Sequence, residues 1–226
     1  MIRCEMSSDT ANLQKTSQRR AKMYDFFSRI YFEEISEESL ALLRQQDNQI
    51  DFGDAELAKG YVNLQKSVDQ VASDEDNLEE LAADYASLFL GIGRRPAHPY
   101  ESVYLGSEKI AMREPYHEVA KIYFTEGLSI SDEVREPEDH LALEFEFMAN
   151  LCRKIEEALR KDDAVEVTRL LNLQKSFSEK HLISWIPDFC DDVVVGSAKL
   201  TFYSAIAALT KRFVVLDNQY LNTATN

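Results

Sequence analysis

The chain holds 226 residues, with 25 Lys and Arg against 40 Asp and Glu, a formal net charge of −15 and 45% apolar residues. That charge excludes a nucleic-acid phosphate backbone as the main partner, because such binding depends on clustered cations. No apolar run approaches the roughly 20 residues of a membrane span, and the apolar content is too high for a disordered chain.

Cysteine usage and the N-terminus predict a cytoplasmic protein. Cys4, Cys152 and Cys190 are scattered, with no Cys-x-x-Cys spacing, a poor framework for disulfides or zinc. The opening MIRCEMSSDT lacks the apolar core of a secretory signal. Arg19-Arg20 is followed by Lys22, Asp25 and Arg29, which break any apolar stretch, so the pair reads as a charged helix start.

Seven glycines and five prolines leave few turns for an all-β protein, and most segments show helical periodicity. Residues 17–32 place Ala21, Tyr24, Phe27 and Tyr31 on one face, and 36–46 predict a short helix with Leu40 and Leu43. Residues 54–73 carry Leu57, Tyr61, Leu64, Val68 and Val71, and 75–91 carry Leu78, Leu81, Ala82, Tyr85, Leu88 and Phe89. Two glycines and two prolines between Gly91 and Pro99 then predict a loop. Helix resumes around Ser107, is interrupted at Pro115, whose ring suits a first turn, and stops at Gly127.

Residues 128–136 are polar and irregular. With Pro137 they predict a hinge, 128–137, between an N-terminal half, 1–127, and a C-terminal half, 138–226, of one domain. A long helix is expected from Pro137 to about Lys161, carrying Leu141, Glu144, Phe145 and Met148 at three- and four-residue steps. Two more follow, 163–185 and 197–221, separated by Pro187 and Asp191-Asp192. The fold class is all-α, a helical bundle with an irregular central loop.

The negative charge is uneven. Glu114 to Glu157 holds 12 acidic and 4 basic residues. Such a run is either a solvated helix face or a funnel for a cationic ligand.

Three chemistries are candidates. A di-iron bundle needs two Glu-x-x-His pairs on facing helices; the chain offers one such spacing, Glu114-Pro-Tyr-His117, and a second pair, His140 and Glu144, four apart. Nucleophilic hydrolysis and nucleotide binding lack their motifs: there is no Gly-x-Ser-x-Gly, P-loop or Gly-x-Gly-x-x-Gly. A peptide groove finds more material. Tyr85, Leu88 and Phe89 form a stripe at i, i+3, i+4, the loop closes on Pro99-Tyr100, and Glu136, Asp139 and His140 cluster at a predicted helix N-terminus. Taken singly, the stripe suits a core and Asp139 suits a helix dipole.

The blocks Asp84-Tyr-Ala-Ser-Leu-Phe-Leu-Gly91, Pro99-Tyr-Glu-Ser-Val-Tyr-Leu105, Glu136-Pro-Glu-Asp-His-Leu-Ala-Leu-Glu-Phe-Glu-Phe-Met148 and Phe177-Ser-Glu-Lys-His-Leu-Ile-Ser-Trp-Ile-Pro187 together resemble the TorD/DmsD family of molybdoenzyme-specific chaperones, in the family's order. The resemblance implies an all-helical cytoplasmic protein with no catalytic activity; separately, no cofactor is expected. Its partner would be the twin-arginine signal peptide on the apo form of a molybdopterin-dependent oxidoreductase's catalytic subunit. Export would be held back until cofactor insertion and folding. The positions matching the family's peptide site are Tyr85, Leu88, Phe89, Pro99, Tyr100, Glu136, Asp139 and His140. Some relatives carry Trp where this chain has Tyr85 and Tyr100, and the loop adds Arg94-Arg95, which would repel a basic peptide if it faced the groove. The resemblance allows a monomer or a homodimer that exchanges halves at the hinge. Chemically, a cationic and then apolar leader matches a trough with carboxylates at its mouth, where guanidinium–carboxylate pairs are bidentate. The other readings are a metal-dependent all-α enzyme with a carboxylate/His site, and a structural adaptor.

Overall fold

The computed structural model describes residues 8–45, 53–106, 114–197 and 200–225. Among these residues are ten α-helices, one π-helical turn and no strand: α1 (Ser8–Phe32), α2 (Glu37–Gln45), α3 (Ala55–Val71), α4 (Asp76–Phe89), α5 (Glu101–Leu105), α6 (Glu114–Thr125), α7 (Leu141–Arg160), α8 (Ala164–Phe177), the π turn Ser178–Leu182, α9 (Ile186–Gly196) and α10 (Phe202–Ala224). The expected return to helix at Ser107, and Cys4, lie outside the described residues. Cys152 and Cys190 are free and buried. No helix is long and apolar enough to cross a membrane among the described residues.

The periodic apolar stripes become one core. Tyr24, Phe27, Ile30 and Tyr31 on α1 face Phe145, Met148 and Cys152 on α7, and all are buried; α1 lies along α7, while α10 packs on α3 and α9. Aromatic rings bind the layers together. Tyr24 and Phe213 meet edge-on at 4.9 Å, Tyr31 and Phe189 at 5.4 Å, and Phe89 and Tyr203 at 5.3 Å, contacts worth about 0.5–1.5 kcal/mol each beyond burial. Both halves contribute, since α1 and α3 come from one and α7 and α10 from the other.

Local chemistry sets the helix ends. Asp54 caps α3 by accepting the Leu57 N–H at 2.8 Å and also holds Arg212; these contacts lower its pKa to about 2, the Arg212 bond most. Gly127, at φ +71°, ends α6 as expected: the Leu128 N–H reaches back to the Tyr123 carbonyl at 2.9 Å, a left-handed termination that favours glycine. Pro115 sits in the first turn of α6.

Several boundaries differ from the periodicity: the last helix, expected over 197–221, runs Phe202–Ala224, and the short α5 precedes Ser107. The long helix starts at Leu141, not at Pro137: residues 137–140 form a turn closed by His140 N to Pro137 O at 3.0 Å, and His140 is extended at φ −73°, ψ 133°. Proline at 137 starts this turn instead of the helix. The expected helix 163–185 ends at Phe177 and widens into the π turn. Pro187 and Asp191-Asp192 separate nothing; proline occupies the first turn of α9 and the two aspartates ride on that helix. Arg19-Arg20 is no helix start but the middle of α1, with Arg20 buried against Asp217.

Candidate functional site

The two motif segments meet through backbone. The Glu101 N–H donates to the Asp139 carbonyl at 3.0 Å and the Leu141 N–H to the Pro99 carbonyl at 2.9 Å, an isolated antiparallel bridge pairing Tyr100 with His140. The side chains follow this register. Asp139 Oδ2 accepts the Ser102 N–H at 3.0 Å, satisfying one of the donors left free at the start of α5. His140 Nδ1 accepts the Ala142 N–H at 3.1 Å and caps α7, which fixes the neutral tautomer with hydrogen on Nε2. Burial pulls the His140 pKa down to about 4.

One side of this junction is open. The Tyr100 hydroxyl donates to Glu136 Oε2 at 2.7 Å, and both residues are half-buried. Burial, then the Glu136 bond and charge, raise the Tyr100 pKa well above normal. Tyr85 lies close by: burial pushes its hydroxyl up to about 12, with the charges of Glu136, Glu33 and Glu34 adding to the effect. Its hydroxyl donates to the Tyr31 carbonyl at 3.2 Å. Phe32, 40% exposed, sets its ring 6.3 Å from His140, and the Tyr100 ring stands 5.2 Å from it. Phe32, Glu33 and Glu34, at the exposed end of α1, carry no signal in the sequence, because the glutamate doublet reads as an ordinary helix terminus. Only tertiary packing carries them to Tyr85 and Glu136.

The other side is closed. Leu88, Phe89 and Asp139 are at most 3% exposed, and Pro99 is buried. The Tyr85-Leu88-Phe89 stripe is not a lining of an open trough: Phe89 packs among Tyr31, Phe189 and Tyr203, and Leu88 lies beneath the loop, within reach of Gly196. Of the eight candidate residues, the structure gathers Pro99, Tyr100, Glu136, Asp139 and His140 at one junction. Tyr85 joins their rim, and Leu88 and Phe89 sit behind it. Arg94 and Arg95 are exposed on the loop and form no ion pair among the described residues.

Beneath the bridge lies a second set of charged side chains. His181 Nδ1 is 3.1 and 3.0 Å from the two oxygens of Glu101, and the Trp185 indole N–H donates to the His181 carbonyl at 2.5 Å. Glu144 is fully buried and neither of its oxygens finds a donor in good geometry. Its carboxyl interacts with that of Glu101. Burial, then the charges of Glu101 and Asp139, push the Glu144 pKa well up. The acidic stretch of 114–157 therefore divides three ways. Glu144 and Asp139 are interior, Glu126 is neutralised by Lys154 and Arg169, and Glu136 and Glu146 face outward or half outward. His140 and Glu144, four apart, do not form a pair on one helical face, because His140 stands outside the helix and turns its ring to the Ala142 N–H. Among the described residues no three His, Cys, Asp or Glu side chains converge on a point where they could hold a metal ion.

The chain was compared with known proteins. A family model described as the nitrate reductase delta subunit matches residues 53–191. The chaperone protein TorD of Vibrio atlanticus is 29% identical over 217 residues, spanning 91% of this chain and 95% of the relative. Its counterpart in Vibrio cholerae is 27% identical over 214 residues, spanning 93% and 95%. That of a Psychrobacter species is 30% identical over 212 residues, spanning 92% and 94%. All three are named as chaperones and not as catalysts. With the family model covering more than half of the sequence and these relatives aligned nearly end to end, the chain belongs to the nitrate reductase delta subunit family, as a TorD-family chaperone and not an enzyme.

Proposed function

We propose that this chaperone acts in the cytoplasm on the immature catalytic subunit of a molybdopterin-dependent oxidoreductase. It binds the subunit's twin-arginine signal peptide and delays export until cofactor insertion and folding are complete. The observation that carries this reading is the rim at the Tyr100–His140 bridge. The charges of Glu136, Glu33 and Glu34 all act on Tyr85, Glu136 accepts the Tyr100 hydroxyl, and the Phe32 ring stands 40% exposed beside His140. A guanidinium offered there finds carboxylate oxygens for bidentate bonds and ring faces for cation–π contact. Glu136 and Tyr100 are the contact residues in this reading, and Tyr85, only 7% exposed, backs them. Asp139, His140, Pro99, Leu88 and Phe89 shape the rim from behind. Residues 128–137 serve as the hinge between 1–127 and 138–226. Because α1 packs on α7 across it, two copies exchanging halves would keep those contacts, and light scattering across concentrations tests for that dimer.

The functional test is a titration of a labelled synthetic twin-arginine leader followed by fluorescence anisotropy. Saturable binding is expected, weakening as salt screens the rim. Replacing both peptide arginines by glutamine, or Glu136→Gln in the protein, should weaken binding about tenfold or more, since a charge-assisted bond is worth about 1.5–3 kcal/mol. Equal affinity for the arginine and glutamine leaders would sink the reading.

A further inference from the structure

We infer that the apolar segment of the bound leader occupies a cleft beside the 128–136 segment, so that the leader runs from the glutamate rim across α1 toward α6. This rests on the signal-peptide reading above. The cleft, about 250 Å³, has apolar walls from Tyr123, Leu128, Ile130, Val134, Leu143 and Phe147. Leu128, Ile130 and Val134 are only half-buried, apolar side chains on an irregular segment with one flank uncovered. Tyr123 and Phe147, their rings tilted against each other at 4.8 Å, form its floor.

A second cleft, about 400 Å³, adjoins it, sharing Val134, Leu143 and Glu146 as a common wall. Its far side is built by Phe32 and Glu33, the same residues that reach the rim at His140 and Tyr85. Rim, second cleft and first cleft therefore follow one another, and their chemistry changes in one direction. Three carboxylates stand at the rim. The middle is mixed: Arg153 is paired with Asp25, the exposed Arg29 adds a cation to the wall, and Glu146 is exposed and in no ion pair among the described residues. The far end is the richest in apolar walls, with Ser129, Ser131 and Asn150 set among them. A twin-arginine leader has the same order, cations first and an apolar run after them. That match in sequence of charge and apolarity selects the leader as the occupant of the far cleft.

The test uses two peptides on the full chain: the complete leader, and a truncated form ending after the arginine segment. The double substitution Leu128→Asp and Val134→Asp changes two half-buried positions outside any helix, and urea denaturation checks that the fold is kept. It should weaken the complete leader at least tenfold and leave the truncated peptide within about twofold. A variant that binds the complete leader as well as the wild type does, or that weakens both peptides equally, overturns the placement while leaving signal-peptide binding intact. Failure of the unaltered protein to bind either peptide overturns the reading beneath it as well. A second measurement needs no variant of the protein. A benzophenone side chain in the leader's apolar segment should crosslink within residues 123–150, and crosslinks confined to other elements refute the placement.

Discussion

Arg20→Met should be among the most destabilising single changes in the molecule. The Arg20 side chain, 6% exposed, sends Nε to Asp217 Oδ1 at 2.5 Å and Nη2 to Asp217 Oδ2 at 3.0 Å. Its Nη1 donates to Gln174 Oε1 at 2.7 Å, and Tyr24 donates to the same Asp217 carboxylate at 2.6 Å. Methionine fills the stem volume but leaves Asp217, 2% exposed, with one hydroxyl donor and no counter-charge. Breaking one side of such a pair costs about 3–5 kcal/mol, a large part of the roughly 5–15 kcal/mol of a typical domain. With a urea slope of about 2 kcal/mol per M, the midpoint should fall by about 2 M. The double variant Arg20→Met with Asp217→Leu should recover most of that loss, because replacing both charges with apolar groups is often neutral or better, so the cycle gives a large coupling. A single variant within about 1 kcal/mol of the wild type, or a double variant as poor as the single, would refute the view that this bridge clamps α1 to α10.

Three further outcomes follow from groups near the candidate site. Burial, then the charges of Glu101 and Asp139, push the Glu144 carboxyl well above the usual carboxylate range, with His181, Tyr123 and Trp185 close to the Glu101–Glu144 pair. A raised carboxyl pKa makes its contribution to stability full below the ordinary carboxylate range and lost as pH rises through the raised value. Glu144→Gln, which cannot ionise, should therefore gain in urea midpoint on the wild type as pH rises above the ordinary carboxylate range, whereas a gap that shrinks with rising pH contradicts the assignment. His140 behaves with the opposite slope: its pKa is lowered to about 4 by burial, so its contribution is whole above about 6.5 and drains away as pH falls toward 4. His140→Asn keeps a good helix cap and should flatten the acid side of the stability profile. Gly196→Ala would set a Cβ 2.7 Å from the Arg95 carbonyl oxygen and 2.8 Å from Leu88 Cδ2. Thermal unfolding should report a loss of about 1–3 kcal/mol from overpacking, and no loss would mean the loop is free to move off α9.

The helices were legible because burial enforces a 3.6-residue period, and Tyr24, Phe27 and Tyr31 or Phe145 and Met148 sit where that period puts them. What escaped was decided by groups far apart in sequence. Nothing near Pro137 announces that the chain turns for four residues before α7, since that turn exists to pair Tyr100 with His140 across 40 positions. Arg20 reads as surface charge until Asp217, almost 200 residues later, is brought against it. Glu144 follows the apolar stripe of its helix, and its interior position was visible in that spacing. Its contact with Glu101 was not, because α5 is only five residues long and gives no periodic signal. The rim was half legible: Tyr100 and Glu136 stood in motifs, but Phe32, Glu33 and Glu34 did not.

The burial of Asp139 and His140 changes what a substitution at this motif can mean. Asp139 bonds the start of α5 and His140 the start of α7, while the backbone between them and Pro99-Tyr100 forms the bridge. Removing either side chain frees a helix cap, worth about 1 kcal/mol, and loosens the junction that aims Tyr100 at Glu136. Loss of peptide binding in Asp139→Ala would therefore report displaced geometry, with altered stability beside it. Loss in Glu136→Gln would report a missing charge on an intact frame. Only the second separates contact from support. The distinction follows from position alone: a side chain at 0% exposure meets a ligand only if the fold opens, and the bridge that holds it is what keeps the fold shut.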